Sequence, residues 1–239
     1  MRGLRRALFV PVIAVALILG AMVAVDTRRN GAPQDIVMPV ARTGAGPVRI
    51  VVLGTSLSQR AVWPERVQNL LGACLERPVE IVRMARAGAS SDWGVAEARK
   101  LPALRPDLVI IEFSINDADL VDGLSLSASR DNHAALIGQV VEGGGAVVLM
   151  TTNPVGRLAA LKRPFMPAYQ DLYPDLARTS GAGFFDGERR WRKRPGWRAA
   201  LADGVHPDPA VEAEVIAAPL AQFLGRAFGR DCGQPTETP

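Results

Sequence analysis

The chain has 239 residues, of which 48% are hydrophobic and 22% are charged, with a formal net charge of +4 and a pI near 9.6. This composition is typical of a globular protein with a sizeable core and excludes a disordered chain. The excess of positive charge is too small to indicate nucleic-acid binding, and no zinc-finger or RNA-recognition signature accompanies it. Two cysteines without a CxxC spacing and only two histidines argue against a metal site, so neither a metal nor another cofactor is expected.

The N-terminus has the pattern of a membrane-targeting segment. Three arginines in residues 1–6 precede Ala7–Val25, a run of nineteen residues without a charge. As a helix this run would be about 28 Å long, close to the hydrocarbon thickness of a bilayer. Because the small residues near its end do not form a convincing cleavage site, we expect residues 1–26 to be an uncleaved membrane-spanning signal anchor, with a cleaved signal peptide as the alternative. The rest of the chain would then lie in the cell envelope, outside the cytoplasm, or be secreted if the segment is cleaved.

Residues 27–47 are rich in Gly and Pro and show no helical or strand period, so they are interpreted as a linker. From Val48 onward, short apolar runs alternate with helical patterns. The predicted strands are Val48–Leu53, Val79–Met84, Asp107–Phe113, Ala146–Thr151 and Gly183–Asp186. The predicted helices are one ending near Leu75 with Pro64 in its first turn, then Asp92–Leu101, Ser127–Glu142, Pro167–Thr179 and Asp208–Phe228, the last N-capped by Asp208 and kinked at Pro219. This order predicts an α/β fold over residues 48–229, a three-layer α/β/α sandwich with a five-stranded parallel sheet, followed by a frayed tail over 230–239.

Polar and glycine residues follow the first three predicted strands: Ser56, Gly88 and Asn116. Because the carboxyl ends of parallel strands lie along one edge of a sheet, these residues can meet there. A serine between a strand and a helix is by itself more often a turn or capping residue. Late in the chain, however, Asp203 and His206 share a turn whose spacing allows the carboxylate to orient the imidazole. A base and an orienting acid are the partners that a serine nucleophile needs.

Four segments resemble, in the same order, the four blocks of the SGNH (GDSL-type) hydrolases: Gly54-Thr-Ser-Leu57, Gly88 within Ala87-Gly-Ala89, Ser114-Ile-Asn-Asp117 and Asp203-Gly-Val-His206. The resemblance extends from about Val48 to Phe228 and implies a flavodoxin-like hydrolase fold and ester hydrolysis without a metal. It implies that Ser56 is the nucleophile, His206 the general base and Asp203 the residue that orients it. The oxyanion hole would consist of the backbone N–H groups of Ser56 and Gly88 and the side-chain amide of Asn116.

The chain departs from the family pattern at two positions, since Thr55 replaces the usual Asp before the serine and Ser114 replaces the usual Gly two positions before Asn116. Neither position carries a proton-transfer or oxyanion role, so the departures concern substrate preference and loop geometry more than activity.

Other polar residues are given less specific interpretations. Asp117 is expected to be a turn former and His133 part of a solvated helix face. Trp191, Arg192 and Trp197 lie in a basic stretch before the Asp203 turn and are candidate substrate-binding residues, because Trp rings stack on sugars and arginines bind anions. A solvated basic loop is the alternative for this stretch. Cys74 and Cys232 could form a disulfide in an oxidising compartment.

Together these features predict an exported serine esterase whose substrate is a small acyl ester, such as acetyl, on an envelope or surface polysaccharide. One alternative is a lysophospholipase or thioesterase that acts on lipids. Another is a non-catalytic glycan-binding or acyl-transfer accessory protein on the same fold. The presence of Ser56, Asp203 and His206 together favours an enzyme over a binding module.

Overall fold

A parallel five-stranded sheet forms the centre of the protein. The computed structural model describes residues 29–41 and 46–233. The strands are in the spatial order β2-β1-β3-β4-β5, with bounds Val48–Gly54 (β1), Val79–Ala85 (β2), Leu108–Glu112 (β3), Ala146–Thr151 (β4) and Gly183–Asp186 (β5). Apart from Arg49 and Glu112, the neighbouring strands β1 and β3 carry apolar residues that are buried on both faces, as a parallel sheet covered on both sides requires. The predicted α/β fold and parallel sheet are confirmed, with strand bounds within two residues of those expected.

Helices cover both faces of the sheet. The described residues form α1 (Ser56–Gln59), α2 (Trp63–Leu75), α3 (Ser91–Glu97), α4 (Leu101–Leu104), α5 (Ser114–Asp117), α6 (Leu126–Glu142), α7 (Met166–Ser180), α8 (Gly187–Lys193) and α9 (Pro209–Ala227). Short 3₁₀ segments lie at Ala98–Lys100, Arg157–Lys162 and Trp197–Ala200. Alternate residues of β1 point to opposite faces, so that Ile50 packs with apolar residues of α2 and α9. Val51 packs with those of α6 and α7 on the other face, which completes the three layers.

Residues 33–40 belong to the folded domain, and the prediction of a linker there was wrong. Ile36 pairs with Phe184 of β5 in both directions, at N···O distances of 2.9 and 2.8 Å. Met38 is buried in the core, and Asp35 forms an ion pair of 2.7 Å with Arg190. A backbone bridge of this kind covers part of a strand edge that would otherwise expose unpaired N–H and C=O groups. The segment lacks a long periodic pattern because Met38 is its one buried side chain, and Ile36 and Val40 are only partly buried.

The predicted membrane anchor lies outside the described residues. Over residues 29–41 and 46–233, no helix combines the length and the apolar character that crossing a membrane requires.

Cys74 and Cys232 form a disulfide with a Cα–Cα distance of 5.5 Å. Cys74 lies in the last turn of α2, and Cys232 is a buried residue of the segment that follows α9. The tail was predicted to fray from Arg230, but through Cys232 this part of it is bonded to the domain.

Removal of the disulfide should destabilise the protein without affecting its chemistry. For the Cys74→Ser/Cys232→Ser variant we expect a loss of about 3 kcal/mol in the free energy of unfolding, because the bond closes a long loop in the unfolded chain. Urea unfolding followed by circular dichroism measures this loss. The wild type under reducing conditions is the control and should lose a similar amount. A urea midpoint equal to that of the oxidised wild type, in both the variant and the reduced wild type, would contradict the expectation.

Candidate active site

Ser56 is held in a tight turn between β1 and α1. Thr55 is the N-cap of α1, and its Oγ1 accepts a hydrogen bond of 3.2 Å from the N–H of Leu57. A capped helix start fixes the first residues of the helix, of which Ser56 is the first. The side chain of Ser56 is therefore oriented by the backbone at the carboxyl end of the central strand.

The structure brings Ser56, His206 and Asp203 together in a continuous chain of hydrogen bonds. Ser56 Oγ lies 2.8 Å from His206 Nε2, and His206 Nδ1 lies 2.7 Å from Asp203 Oδ2. Because a carboxylate only accepts hydrogen bonds, Nδ1 carries the proton and donates to Asp203. Nε2 is then free to accept the hydroxyl proton of Ser56, as a general base must.

Asp203 also shapes the turn on which His206 lies. Its Oδ1 accepts hydrogen bonds from the N–H groups of Val205 (2.8 Å) and His206 (2.7 Å). Burial opposes ionisation of Asp203, but the hydrogen bonds from the backbone and ring of His206 and from Val205 hold the pKa of its carboxyl well below its usual range. Asp203 is therefore a carboxylate at neutral pH.

Asn153, which was not predicted as a site residue, supports this turn from just beyond β4. Its Nδ2 donates a hydrogen bond of 2.7 Å to the carbonyl of Val205. Nearby, the N–H of Gly156 donates to the carbonyl of Gly204 at 2.8 Å. The signal in the sequence was the position of Asn153, a polar residue just beyond a buried strand on the edge where Ser56 lies.

The proposed oxyanion donors lie on the loops after the strands that flank β1. Gly88 has a φ of +73°, a conformation that glycine adopts without strain. Asn116 is linked to the same loop, because its Nδ2 donates a hydrogen bond of 2.8 Å to the carbonyl of Ala89. The amide nitrogen has a second hydrogen, and within the described residues the N–H groups of Ser56 and Gly88 have no acceptor. The arrangement therefore leaves hydrogen-bond donors available on Ser56, on Gly88 and on the neighbouring side chain of Asn116.

Asn116→Ala should lower kcat about 100- to 1,000-fold with little change in KM, because an oxyanion donor acts mainly on the transition state. Steady-state hydrolysis of a soluble aryl acetate measures both constants. Asn132→Ala is the matched control, since Asn132 Nδ2 also bonds to a residue near this loop, Ser91 Oγ, at 3.1 Å. Equal losses in the two variants would mean that the amide of Asn116 only stabilises the loop.

Glu112 is fully buried directly beneath the nucleophile turn, and sequence reasoning missed it. Its Oε1 accepts hydrogen bonds from the N–H of Thr55 (2.6 Å) and from Ser58 Oγ (2.7 Å), and Thr55 Oγ1 lies 3.0 Å from Oε2. A Cβ at position 54 would collide with the carboxyl group of Glu112, which explains Gly54 better than the turn conformation does. Burial raises the pKa of Glu112 to about 7, although its hydrogen bonds act in the opposite direction.

A second buried acid, Glu212, lies in the first turn of α9. Only 7% of the residue is exposed, and among the described residues no hydrogen bond to its carboxyl group is present. Burial and the nearby charge of Glu112 raise the pKa of Glu212 to about 8. The protonated form is thus favoured in the folded protein at neutral pH.

Glu212→Gln should stabilise the protein at high pH only. Between about pH 4.5 and pH 8 the unfolded chain releases the Glu212 proton and the folded chain retains it, so the free energy of unfolding of the wild type falls as the pH rises. At pH 8 the variant should be more stable than the wild type by about 2–5 kcal/mol, and at pH 4 the two should be similar. Thermal unfolding at both pH values tests this. Glu214→Gln, on the same helix but exposed, should show no such pH dependence.

A small cavity borders Ser56 and His206. Its volume is about 120 Å³, and its walls include Leu57, Arg60, Pro209 and Glu212. Sites for drug-sized ligands have volumes of roughly 300–1,000 Å³, so this cavity suits only a small group.

Trp191 and Trp197 do not line this site, and the expectation that they stack on substrate was wrong. Trp191 is 1% and Trp197 7% exposed, and both pack in the core against α9. Arg192 is also unsuited to the expected role, because its side chain bonds to Glu188 at 2.8 Å. Trp191 projects from α8 and Trp197 from the 3₁₀ segment Trp197–Ala200, and both rings pack into the core although the surrounding stretch is basic.

His133 and Asp117 are fully buried, which corrects the solvated-face and simple-turn interpretations. His133 lies on the face of α6 that also carries Leu136 and Ile137, one helical turn away, and Val140, two turns away. Both polar residues take part in a buried hydrogen-bond network between α6 and the loop of Asn116.

Exposed apolar side chains gather on the two segments that follow Asn116 and Asn153. Of the nine exposed large apolar residues in the described part of the chain, five lie on two neighbouring segments: Leu120, Val121, Leu158, Leu161 and Phe165. The two segments contact each other, since the N–H of Leu120 donates to the carbonyl of Lys162 at 2.9 Å. We call these five residues the apolar rim. A cluster of this kind often marks a surface that binds an apolar ligand or partner.

Several solved structures have the same fold. A lipase/acylhydrolase from Enterococcus faecalis aligns with a TM-score of 0.68 and 21% identity, over 78% of this chain and 99% of its own. An acetylxylan esterase from Geobacillus stearothermophilus aligns with a TM-score of 0.64 and 20% identity, over 81% and 98% of the two chains. LAE5, an α/β hydrolase enzyme from the metagenome of Lake Arreo, Spain, aligns with a TM-score of 0.65 and 20% identity, over 77% and 98%. A search of curated protein sequences gave no match.

A family model, described as the GDSL-like lipase/acylhydrolase family, matches residues 44–213, which is most of the chain. The match includes the nucleophile turn, both oxyanion loops and the Asp203–His206 turn. The chain therefore belongs to the GDSL-like lipase/acylhydrolase family and is an ester hydrolase.

Proposed function

We propose that the protein is a serine esterase in which Ser56, His206 and Asp203 act as a catalytic triad. The observation that carries this proposal is the unbroken chain from Ser56 Oγ through both ring nitrogens of His206 to Asp203. The oriented imidazole can accept the serine proton, and the charged Asp203 stabilises the imidazolium that results.

The reaction would proceed in two halves. Ser56 Oγ attacks the ester carbonyl as His206 takes its proton, and the negative oxygen of the tetrahedral intermediate is stabilised by the N–H groups of Ser56 and Gly88 and by the amide of Asn116. The intermediate collapses when His206 protonates the leaving alcohol, which leaves an acyl group on Ser56. Water then attacks this acyl-enzyme with His206 again as base, and the carboxylic acid leaves as Ser56 regains its proton.

For the substrate we propose a small acyl ester, most simply acetyl, on a polysaccharide of the cell envelope or surface. The 120 Å³ cavity beside Ser56 and His206 has room only for a small group, although the loops of Gly88 and Asn116 do not line it. The fold shared with an acetylxylan esterase is compatible with a glycan ester. Export, either as a membrane-anchored or as a secreted protein, is supported by the uncharged N-terminal run and by the Cys74–Cys232 disulfide, because disulfides persist mainly in oxidising compartments.

A lipid acyl hydrolase of the lysophospholipase or thioesterase type is the second candidate. The apolar rim favours it, because an acyl chain too long for the cavity could lie across this exposed surface. An acyl transfer to a sugar hydroxyl would use the same residues. A non-catalytic binding role is disfavoured, because it would not require the triad geometry.

Labelling with a fluorophosphonate probe tests the nucleophile. We expect the wild type to be labelled and Ser56→Ala to be unlabelled, since the probe reacts with an activated serine. Ser127→Ala removes an exposed hydroxyl and is the matched control, which should be labelled like the wild type. Equal labelling of wild type and Ser56→Ala, or none in either, would refute the esterase proposal.

Product analysis separates the two substrate classes. Release of acetate from acetylated glycans, with little fatty acid from lysolipids, is expected under the first proposal, and the reverse pattern would establish the lipid alternative. N-terminal sequencing of the membrane-bound protein tests the anchor, for which an intact N-terminus is expected. A chain that begins after Val25 would instead show cleavage of a signal peptide.

A further inference from the structure

One buried hydrogen-bond network connects the two loops that carry Gly88 and Asn116. It joins α7 and α6 to the first residues of α5 and of α3. We propose that Tyr173 and His133 are positioning residues that hold the two oxyanion loops at a fixed distance from Ser56. The inference rests on the esterase function proposed above and adds two residues that the family motifs do not include.

Tyr173 holds the loop of Asn116. Its hydroxyl oxygen accepts hydrogen bonds from the N–H groups of Phe113 (2.9 Å) and Ser114 (3.0 Å). These are the N-cap and first residue of α5, where N–H groups have no partner within the helix. The phenol therefore serves as a side-chain cap for the turn on which Asn116 lies. Tyr173 is fully buried, so water cannot take its place.

The hydroxyl group of Tyr173 donates its hydrogen bond to His133. With two N–H groups directed at its oxygen, Tyr173 donates its own hydrogen to His133 Nε2, which lies 2.9 Å away. The other ring nitrogen, Nδ1, then carries a proton and donates to the carbonyl of Ser129 at 2.7 Å. This assignment gives each donor one acceptor. Burial lowers the pKa of His133, which favours the neutral ring that the assignment requires.

Asp117 extends the network to the second loop. Its Oδ2 accepts a hydrogen bond of 2.6 Å from Ser129 Oγ, one turn before His133 on the same face of α6. Its Oδ1 accepts one of 2.8 Å from the N–H of Ser91, the first residue of α3, three positions after Gly88. Asp117 itself directly follows Asn116. The backbone on both sides of the oxyanion site is therefore fixed through one set of buried groups.

The network is relevant to catalysis because oxyanion donors act through their position. A misplacement of about 1 Å can lower a rate about 100-fold, even when it originates away from the reacting atoms. None of the network side chains reaches Ser56 or His206, so they act through Asn116 and Gly88. Loss of the network should therefore weaken the stabilisation of the transition state, which lowers kcat, and should leave the binding of the substrate largely unchanged.

Tyr173→Phe is the direct test, and Tyr169→Phe is its matched control. Both tyrosines lie on α7 and both use the hydroxyl group in a hydrogen bond. The bonds of Tyr173 are buried, whereas Tyr169 donates a part-buried one to the carbonyl of Leu124, in the loop between α5 and α6. With a soluble aryl acetate we expect Tyr173→Phe to lower kcat about 10- to 100-fold with KM changed less than about threefold. Tyr169→Phe should retain kcat within about threefold.

A double-mutant cycle distinguishes positioning from a general loss of stability. If Tyr173 acts through Asn116, then Tyr173→Phe should cost far less in an Asn116→Ala background than in the wild type. Equal costs in both backgrounds would overturn the proposal, as would equal kcat values for the two tyrosine variants.

His133 provides a second variant if Tyr173→Phe fails to fold. His133→Gln retains one acceptor and one donor and should keep more kcat than His133→Leu, which offers the phenol no acceptor. Amide hydrogen exchange of Ser91 and Ser114 gives a readout independent of activity, and it should quicken in Tyr173→Phe but not in Tyr169→Phe. Unchanged exchange would overturn the proposal even if the wild type proved to have no esterase activity. A wild type that hydrolyses esters normally while Tyr173→Phe behaves like Tyr169→Phe would refute the positioning role alone.

Discussion

Ester hydrolysis by Ser56→Ala should fall about a million-fold in kcat, and adding His206→Ala should cost almost nothing more. The reason is that the two side chains act as one unit: the imidazole has no proton to accept once the hydroxyl is absent. The hydrogen bond of 2.8 Å between Ser56 Oγ and His206 Nε2 is the contact through which they are coupled. What activity remains should come from substrate binding and the oxyanion donors.

Single and double variants are compared by single-turnover hydrolysis with a large excess of enzyme, so that slow rates can be followed. Ser58→Ala is unsuitable as a control, because Ser58 Oγ bonds to Glu112, whereas Ser127→Ala removes an exposed hydroxyl. If the losses from Ser56→Ala and His206→Ala multiplied in the double variant, the two residues would act independently and the proposed triad would be wrong.

Asp203→Asn should lower kcat about 10,000-fold while the fold remains intact. An amide in place of the carboxylate can donate to Nδ1, which would favour the tautomer that has its proton on Nε2. That tautomer cannot accept the proton of Ser56. The loss should persist throughout the neutral pH range, because the low pKa of Asp203 keeps the wild-type group charged there.

Asp208→Asn is the matched control for this variant. Asp208 is an exposed carboxylate in the same loop and caps α9 through the N–H groups of Ala210 and Val211, a role that Asn also fills. We expect pH profiles of kcat/KM like those of the wild type for Asp208→Asn and a uniformly depressed profile for Asp203→Asn. A loss of less than tenfold in Asp203→Asn would mean that the carboxylate contributes only to the shape of the turn.

The sheet and the order of the site residues are predictable from the sequence because they depend on short-range patterns. Buried parallel strands produce uninterrupted aliphatic runs, such as residues 50–53, and their carboxyl ends share an edge whatever the intervening helices do. The Asp203–His206 contact is likewise local, since the two residues are three positions apart. The N-cap at Asp208 is also a local feature, because the Asp-Pro pair at the start of α9 marks it in the sequence.

The errors arose where a polar composition concealed a buried face. His133 follows Asp131 and Asn132 in the sequence, which suggests solvent, but its neighbours on the helix surface are buried. Trp191 lies among arginines, and only the packing of α8 against the core shows that its ring faces inward. The sequence pattern marks Glu112 only as part of a strand, because its hydroxyl partners Thr55 and Ser58 are more than fifty positions away.

The segment after β4 limits how the specificity of this protein could change during evolution or by design. Asn153 and Gly156 near its start bond to the turn of His206, and Arg163 near its end donates to the carbonyl of Ile115 at 2.7 Å and pairs with Asp119. Leu158 and Leu161 of the apolar rim lie between Gly156 and Arg163, and Phe165 lies just beyond Arg163. Side chains there can be exchanged freely, since they face solvent, but an insertion or deletion would shift the base and the Asn116 loop together. New substrates should therefore be reached by substitution at a constant segment length, and grafts of longer or shorter loops should lose turnover before they alter preference.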